Sequence, residues 1–351
     1  MALDKSTYDY AIGVFFLLSV VSLWTISSFL VQNLFVFGFN KPFLVTYLKT
    51  STVTLYLLPF LFQRYCRPPQ GYTRAPSSPS RDSIPLPGAE SRKMSIRATA
   101  ELAAVFCILW FFANWTTNAS LEFTSVASST ILASTSGFFT LAVGRLFGVE
   151  KLTWGKIAAV VISFSGVLLV SLGDHASVTS FPHASWGNFL SLLSAILYAF
   201  YATILKVRTG PDAQLDTQMF FGFVGLFITL GLWPVGLVLH IFGIESFDLP
   251  KENAAWAALL ISMFITWSSN YLYVLAVLRT TALVVTIGLS LTIPFAMVGD
   301  FWLGRVPGWR TVAGAILVLV AFATIGREGA VEHEMEREEV AMQPVKMDLE
   351  D

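Results

Sequence analysis

The chain has 351 residues, of which 55% are hydrophobic and 13% charged, with a mean hydropathy of +0.66 and a formal net charge of −1. Soluble globular proteins carry about 25% charged residues, so this chain has too few to cover a water-facing surface of its size. The same composition excludes a disordered chain, and 22 basic against 23 acidic residues give no net field for nucleic acid. The two cysteines, Cys66 and Cys107, are too few for a disulfide framework or a metal cluster. A polytopic membrane protein remains.

Apolar runs of about 20 residues, the length that crosses the hydrocarbon core, recur along the chain. The runs are continuous rather than alternating, which predicts helices and argues against a barrel. The first run is long and lacks a small-residue cleavage site, so we interpret it as a retained signal anchor. The ten predicted spans are 10–32, 42–63, 98–119, 123–146, 154–173, 185–206, 217–240, 253–277, 281–301 and 309–327.

Lysine and arginine are distributed unevenly between the predicted loops. If the N-terminus is cytosolic, 17 of the 22 basic residues fall in cytosolic segments and four on the opposite face, with Lys49 inside a span. This is the asymmetry of the positive-inside rule, and the even number of spans returns the C-terminus to the same side. Both termini are therefore predicted to be cytosolic.

Two segments lie outside the predicted spans. Residues 64–97 hold six of the 15 prolines among Ser, Arg and Gly, a composition typical of a disordered cytosolic loop. Phosphorylation of the serines in this loop is left open, and residues 328–351 form an acidic, solvated tail. The predicted organisation is 1–63 with spans one and two, the loop 64–97, 98–175 with spans three to five, a second half at 180–327, and the tail 328–351.

The chain contains an internal repeat. With a shift of 157 residues, 13 of 52 ungapped positions are identical, among them Trp110 with Trp267 and Thr135 with Thr292. Each half holds five spans, an odd number, so the second half must enter the membrane from the opposite side. Inverted repeats are the architecture of secondary transporters, whose substrate site lies near the midplane where the halves meet. The sequence thus predicts an all-α polytopic membrane protein with ten transmembrane helices in two inverted five-helix repeats.

Helix breakers occur at equivalent positions of the two halves, Gly137 in span four and Pro294 in span nine. Small residues precede Gly137 at four-residue spacing, namely Ser125, Ser129 and Ala133. Such a stripe lets helices approach closely, and plain helix packing is the alternative explanation for it. Matching interruptions in two halves indicate a substrate site near both breakers.

Polar groups inside the spans are the other candidates, because they are costly in a bilayer. Lys49 lies about seven residues into span two, roughly 10 Å deep, although its stem also has the length to snorkel to the interface. Glu101 and Asp300 lie near span ends and are interpreted as interfacial. Two asparagines are favoured over Ser and Thr, because their own helix cannot satisfy a whole amide. The predicted substrate-binding residues are Lys49, Asn114, Ser134, Thr135, Gly137, Tyr198, Tyr201, Asn270, Tyr273, Ser290 and Pro294.

Enzymatic motifs are lacking in the sequence. The four histidines form no metal-ligand pair at helical spacing, and Gly148–Lys156 has the wrong spacing for a phosphate-binding loop. We therefore expect no enzyme activity, no metal and no cofactor. Transport by such a chain has to be driven by a gradient or by exchange.

The stretch from Asn118 to Leu141, and Phe147 to Trp154 running on to Gly166–Asp174, resembles the drug/metabolite transporter superfamily. More narrowly, these residues resemble the F branch of solute carrier family 35 and its fungal vacuolar relatives. The resemblance implies two EamA-type repeats and an endomembrane location, with the vacuole favoured and the Golgi as the alternative. Nucleotide-sugar carriers of the superfamily show Gly-x-Leu-Asn-Lys in the ninth helix, whereas residues 285–294 here contain no Asn-Lys. A nucleotide sugar is thus only an alternative substrate class, and some relatives suggest an organic cation such as thiamine.

The sequence as a whole predicts a secondary active transporter or exchanger of a small organic solute, working by alternating access with its site between the repeats. The expected partners are that solute and the lipid bilayer, not nucleic acid, and a homodimer is left open. The alternative is a transport-inactive membrane scaffold or sensor that acts through the loop 64–97 and the tail.

Overall fold

The structure is a computed structural model that describes residues 5–60, 62, 92–148, 153–176, 183–209, 213–279, 289–321 and 323–324. Most of the Pro-rich loop, the acidic tail and residues 281–288 of predicted span nine lie outside the described residues.

The described chain is helical apart from one pair of two-residue strands, β1 (Arg92–Lys93) and β2 (Ala213–Gln214), which run parallel. Span two is α2 followed directly by a 3-10 helix at Thr52–Leu57, and span four is divided into α4 and α5. The helices are α1 (Lys5–Val36), α2 (Pro42–Ser51), α3 (Ile96–Phe123), α4 (Val126–Ser134), α5 (Ser136–Leu146), α6 (Trp154–Ala176), α7 (Ala184–Thr209), α8 (Thr217–Ile241), α9 (Asn253–Arg279), α10 (Thr292–Trp302) and α11 (Trp309–Ala321).

The prediction of a helical membrane protein is confirmed. In the described part of the chain, six spans are long and apolar enough to cross a membrane: Ala11–Val36, Ile96–Phe123, Val126–Leu146, Ala184–Leu205, Thr217–Ile241 and Asn253–Ala276. Shorter apolar helices occupy spans five and ten, at Ile157–Val170 and Trp309–Ala321. With α2 in span two and α10 in span nine, each of the ten predicted spans contains helix.

Local sequence signals set several helix ends. Ser95 and Asp216 accept hydrogen bonds from the main-chain N–H groups of Ala98 and Met219, and so cap α3 and α8. Gly148 and Gly304 follow the ends of α5 and α10 with φ of +71° and +77°, a conformation that glycine adopts without strain. These two glycines end equivalent spans of the two halves.

Large apolar side chains cover the outside of the bundle. Leu146, Trp154 and Trp302 are 84%, 87% and 85% exposed, an arrangement that suits contact with lipid rather than water. Inside, α1 packs along α9 and α3 along α7, in the two most extensive helix pairs. The 3-10 segment lies against α8, and α10 packs on α4.

The loops gather at two ends of the bundle. At one end, called the Lys41 end, Lys41 Nζ donates to the main-chain oxygen of Asp248 at 2.9 Å, and Asn40 pairs with Glu122. At the other, the strand end, β1 pairs with β2. The loops at the Lys41 end follow spans one, three and seven, and those at the strand end follow spans two and six, as alternating crossings require.

Candidate functional site

Span four is interrupted at Thr135, between α4 and α5. Ser134 Oγ donates to Ile131 O and Thr135 Oγ1 to Leu132 O, both at 2.6 Å. These hydroxyl groups therefore bond to carbonyl oxygens that would accept main-chain N–H groups in a continuous helix. The main-chain N–H of Thr135 also bonds Leu132 O, with the three-residue spacing of a 3-10 turn. The predicted breaker Gly137 lies two residues further on, within α5.

Span nine has the equivalent turn. Thr292 Oγ1 donates to Leu289 O at 2.7 Å, a pair that lies 157 residues beyond Thr135 and Leu132. Because Pro294 lacks an N–H, Ser290 O instead accepts the N–H of Ile293 at 3.1 Å. The same hydroxyl-to-carbonyl bond therefore recurs 157 residues apart, at the break between α4 and α5 and at the first residue of α10.

The two interrupted helices are in contact with each other. Ile131 of α4 and Ile293 of α10 are fully buried in one apolar cluster with Val170 and Val318. The structure therefore brings together the segments that hold Ser134, Thr135 and Gly137 on one side and Ser290 and Pro294 on the other.

The three predicted tyrosines form one cluster. The rings of Tyr198 and Tyr201 on α7 lie 4.7 Å apart, and the Tyr201 ring is also 4.9 Å from Phe106 on α3. The phenol of Tyr273 on α9 is close enough to interact electrostatically with both other phenols. Residues from spans three, six and eight thus meet at one place.

Trp24 connects the tyrosine cluster to α1. Trp24 of α1 stacks on Tyr273 with ring centroids 6.0 Å apart, and its indole N–H donates to Ser269 Oγ at 3.0 Å. Tyr273 packs against the same buried pair of side chains as Leu289, whose carbonyl accepts the bond at the span-nine turn. The aromatic cluster is therefore adjacent to that turn.

A belt of buried hydroxyl and amide groups crosses the interior between spans two, three, four and six. Asn118 Nδ2 donates to Thr46 Oγ1 at 2.9 Å, linking α3 to α2. Ser129 Oγ lies 2.7 Å from Ser120 Oγ and accepts a bond from Ser191 Oγ at 3.1 Å, linking α4 to α3 and α7. Such bonds hold helices together where no water is present to satisfy the groups.

Asn114 and Asn270 each bond once within their own helix. Each donates one amide N–H to the carbonyl four residues earlier in its own helix, Asn114 to Trp110 O and Asn270 to Thr266 O, both at 2.7 Å. The helix therefore satisfies only part of each amide, in line with the expectation that it cannot satisfy a whole one. What is left for a solute is the side-chain carbonyl and the second N–H of each.

Lys49 lies in the last turn of α2 and is only 9% exposed. Thr46 and Val53, on the same face of the chain, are fully buried. Among the described residues, Lys49 Nζ has no hydrogen bond and no ion pair. Neighbouring helices therefore cover Lys49, and its predicted role in solute binding stays a prediction.

The register of α2 and α3 places Lys49 level with Asn114. The two helices run in opposite directions and are tied by the bond from Asn118 to Thr46. Lys49 follows Thr46 by three residues and Asn114 precedes Asn118 by four, so both lie one helical turn nearer the strand end. The structure records no contact of Lys49 with the tyrosine cluster.

Carboxylates of the second half bind helix N-termini of the first half at the Lys41 end. Asp300 Oδ2 accepts the main-chain N–H of Ala127 in α4 at 2.8 Å, and its Oδ1 lies 3.6 Å from Arg305 Nη1. Asp300 is 2% exposed, so neighbouring helices cover it at this end of the bundle, and its interfacial depth stays a prediction. Glu101, in contrast, is exposed and pairs with Arg97 at 2.9 Å, as expected near a span end.

Glu245 binds the N-terminus of α2 in the way that Asp300 binds that of α4. Its two carboxylate oxygens accept the N–H groups of Phe43 and Leu44 at 3.0 and 2.8 Å. Burial raises the pKa of the Glu245 carboxyl above its usual value, and nearby Glu122 adds to this. The two main-chain N–H groups and Lys41 act in the opposite direction.

Several interior residues were missed from the sequence. Ser129 belonged to the predicted small-residue stripe, but its role in the hydroxyl belt was not seen. Trp267 was one of the identities of the repeat, and its ring stacks on Tyr56, whose hydroxyl donates to Trp267 O. Identity between the halves was therefore the signal available for Trp267, whereas Trp24 and Tyr56 had none.

Curated proteins of similar sequence cover most of the chain, although no family model matches it. It is 39% identical to the uncharacterized transporter C405.03c of Schizosaccharomyces pombe, over 90% of this chain and 95% of that protein. It is 36% identical to the uncharacterized vacuolar membrane protein YML018C of Saccharomyces cerevisiae, over 94% of both chains. Solute carrier family 35 member F5 of Macaca fascicularis is 36% identical, over 69% of this chain and 58% of its own length.

A crystal structure of another protein shares the fold. It superposes with a TM-score of 0.52 over 91% of this chain and 96% of that one, at 14% identity. At such low identity the likeness concerns the fold alone.

Proposed function

The chain belongs to the drug/metabolite transporter superfamily, in the group of solute carrier family 35 F members and fungal vacuolar transporters, and it is a membrane transporter rather than an enzyme. From this premise we propose that it is a secondary transporter or exchanger of a small organic solute that works by alternating access. Its two halves, 1–175 and 180–327, are inverted repeats, and the solute binds between them.

The observation that carries the proposal is the pair of equivalent turns in spans four and nine. Thr135 with Leu132 and Thr292 with Leu289 make the same bond 157 residues apart, and the two interrupted helices pack together. Non-helical backbone is tolerated at membrane depth only where it is buried in protein or lines a cavity. Interrupted helices in corresponding positions are the typical setting of a transporter's binding site.

The pairing of helices supports the repeat. If the two halves are exchanged, spans one to five take the places of spans six to ten, and spans six to ten take those of spans one to five. The pair α1 with α9, which is span one with span eight, then becomes span six with span three, which is α7 with α3. These two pairs are the most extensive in the bundle. Spans two and seven pack together, as do spans four and nine, and each of these pairs maps onto itself.

The proposed solute site comprises the turns, the tyrosine cluster and the polar groups near them. Tyr198, Tyr201 and Tyr273 offer ring faces and hydroxyls, and the turns offer hydroxyls and main-chain groups. Asn114 and Asn270 each contribute the part of the amide that its own helix does not use. Ser134, Thr135, Gly137, Ser290 and Pro294 form the turns, and Lys49 provides a charge.

We place the protein in an endomembrane, with the vacuole favoured because one relative is named as a vacuolar membrane protein. The loop and tail then lie in the cytosol with both termini, as the distribution of Lys and Arg predicts.

Exchange in proteoliposomes tests the proposed function. Liposomes containing the full-length protein are loaded with an isotope-labelled aqueous extract of cell metabolites, with unlabelled extract outside, and loss of labelled species is followed by mass spectrometry. We expect at least one species to exchange faster than in protein-free liposomes. The same exchange should persist when residues 64–91 are replaced by a Gly/Ser linker of equal length and residues 328–351 are removed.

The truncated variant separates transport from the scaffold alternative. If no species exchanges through either protein, alternating access is wrong and a role for the loop and tail as scaffold or sensor gains its basis. If exchange needs the loop or the tail, these segments belong to the transport mechanism and the site between the halves does not suffice.

A further inference from the structure

The charge of the buried interior bears on the class of solute. Resting on the function proposed above, we propose that the transported solute is an organic anion and that Lys49 binds its negatively charged group.

Lys49 has no counter-ion on any helix that packs against it. The helices that pack most extensively on α2 are α3, α8 and α9. The sequence of α3 has no acidic residue between Glu101 and Glu122, and α8 and α9 contain none at all. Glu101 is exposed at the strand end and Asp300 is bound to Ala127 at the Lys41 end.

An ammonium group buried without a partner is costly, and a bound anion would remove that cost. Lys49 Nζ has no partner among the described residues, and residues 281–288 of span nine contain no charged side chain in the sequence. The part of the chain that the structure describes therefore supplies no negative charge to Lys49. A transported anion supplies it at the depth where solute has to bind.

Two buried indole N–H groups also favour a solute that accepts hydrogen bonds. Trp115 Nε1 and Trp267 Nε1 are shielded from solvent and meet no acceptor in the described part of the chain. Trp115 neighbours Asn114 in the sequence, and Trp267 stacks on Tyr56, two turns beyond Lys49 on span two. An interior with spare donors favours a solute rich in acceptor oxygens, such as a carboxylate or a phosphate.

An organic cation fits this interior less well. Tyr273 and Trp24 offer ring faces to a cation, but none of the helices around α2 offers it a carboxylate. Lys49 would in addition repel it. The aromatic rings then serve the uncharged body of an anion, and Lys49 selects for the sign of its charge.

The extract-loaded proteoliposomes test this, with the same buffer and pH on both sides. We expect the species exchanged by the wild-type protein to be anions at neutral pH. In K49Q their exchange should fall about ten- to hundredfold, the range for losing a hydrogen bond to a charged group, with K49R in between. K251Q removes a lysine from an exposed loop and should behave as wild type.

Three results overturn the proposal. Exchange of cations or neutral species alone by the wild-type protein contradicts the anion while leaving the transport function intact. Exchange of anions by folded K49Q at the wild-type rate shows that Lys49 does not bind them. Because no pH gradient is applied, loss of proton coupling alone would leave exchange intact and give this second result. No exchange by the wild-type protein refutes the transport function itself.

The wild-type result does not depend on any variant folding. The charge of the exchanged species decides between anion and cation even if K49Q is not monodisperse in detergent. K49R, which keeps the charge on a similar stem, then decides whether the geometry of an ammonium is needed.

Discussion

At the scale of single residues, Glu245 and Asp300 connect the two halves at the Lys41 end. Each carboxylate accepts main-chain N–H bonds from the first turn of a helix in the other half, Glu245 from α2 and Asp300 from α4. Helix N-termini carry partial positive charge, so these contacts are favourable. In an alternating-access cycle they are contacts that opening of this end would have to break.

Glu245 should give the protein a specific pH dependence of stability. Because burial raises its pKa in the folded state, the folded state holds the proton more tightly than the unfolded state does. This contribution to stability is fully present below the usual glutamate pKa, about 4.3, and is lost as the pH rises through the raised folded value. The midpoint of thermal unfolding of wild type relative to E245Q should therefore be higher at acidic than at alkaline pH.

The midpoints of thermal unfolding of wild type and E245Q are measured in detergent at a series of pH values from acidic to alkaline. E252Q, at an exposed glutamate of the same loop, is the matched control for the loss of a carboxylate from this loop. A constant offset between wild type and E245Q across the series would show that Glu245 does not titrate as its burial implies.

Charged residues in apolar runs show what the sequence can and cannot say about single positions. Lys49, Glu101 and Asp300 all interrupt predicted spans, and their depth follows from counting. Glu101 turned out exposed and the other two buried, with Asp300 bound to Ala127. Burial depends on which face of the helix meets a neighbour, and that is decided by tertiary packing rather than by position along the span.

At the scale of elements, the turns in spans four and nine have different chemical causes. In span nine Pro294 has no N–H to donate to Ser290 O, so this oxygen accepts the N–H of Ile293, one residue earlier in the chain. Span four has no proline, and its turn relies on the hydroxyls of Ser134 and Thr135, which compete for helix carbonyls. The common feature is the threonine at equivalent positions.

P294A should lengthen the helix and slow transport. Alanine at this position restores an N–H that can bond Ser290 O, which would let the helix extend back beyond Thr292 and would add a hydrogen bond. We therefore expect a higher midpoint of thermal unfolding together with slower exchange in the proteoliposome assay. The reason is that the turn, once continuous with α10, no longer presents its main-chain groups.

P234A is the matched control for this prediction. Pro234 lies inside α8, is exposed, and does not interrupt the helix. Its replacement should raise stability in the same way without changing exchange. If P294A exchanges at the wild-type rate while it is more stable, the span-nine turn has no part in solute binding.

The elements were predictable to different degrees. Gly137 and Pro294 located the turns to within a few residues, because breakers and small residues cluster there. The prediction missed Thr135 as the residue at the turn, since hydroxyl-to-carbonyl bonds leave no distinct pattern. The 3-10 form of span two was also missed, because it depends on α8, where a Cβ added to Gly225 would lie 2.3 Å from Thr54 N.

At the scale of the whole molecule, the positions of the helices along the chain were accessible from the sequence, because the spacing of charged residues delimits them. The contacts at the Lys41 end and the β1–β2 pair at the strand end agree with the alternation of the predicted spans. The pairing of helices was not accessible, since apolar helices of similar composition give no preference. The proposed repeat narrows the possible helix pairs, because each pair between the halves implies a second pair, which is obtained by exchanging the halves.

Sidedness is the remaining property of the whole molecule that the charge distribution predicts. The Lys41 end should face the lumen and the strand end the cytosol, because only four of the 22 basic residues lie in loops at the Lys41 end. A long Gly/Ser segment carrying one Asn-Gly-Thr sequon, inserted after Gly243, should then be glycosylated when the protein is expressed in a eukaryotic cell. The same segment inserted after Gly210 should not be. The reverse pattern would show that the chain is inverted in the membrane, and glycosylation of both variants would mean that the two loops do not lie on opposite faces.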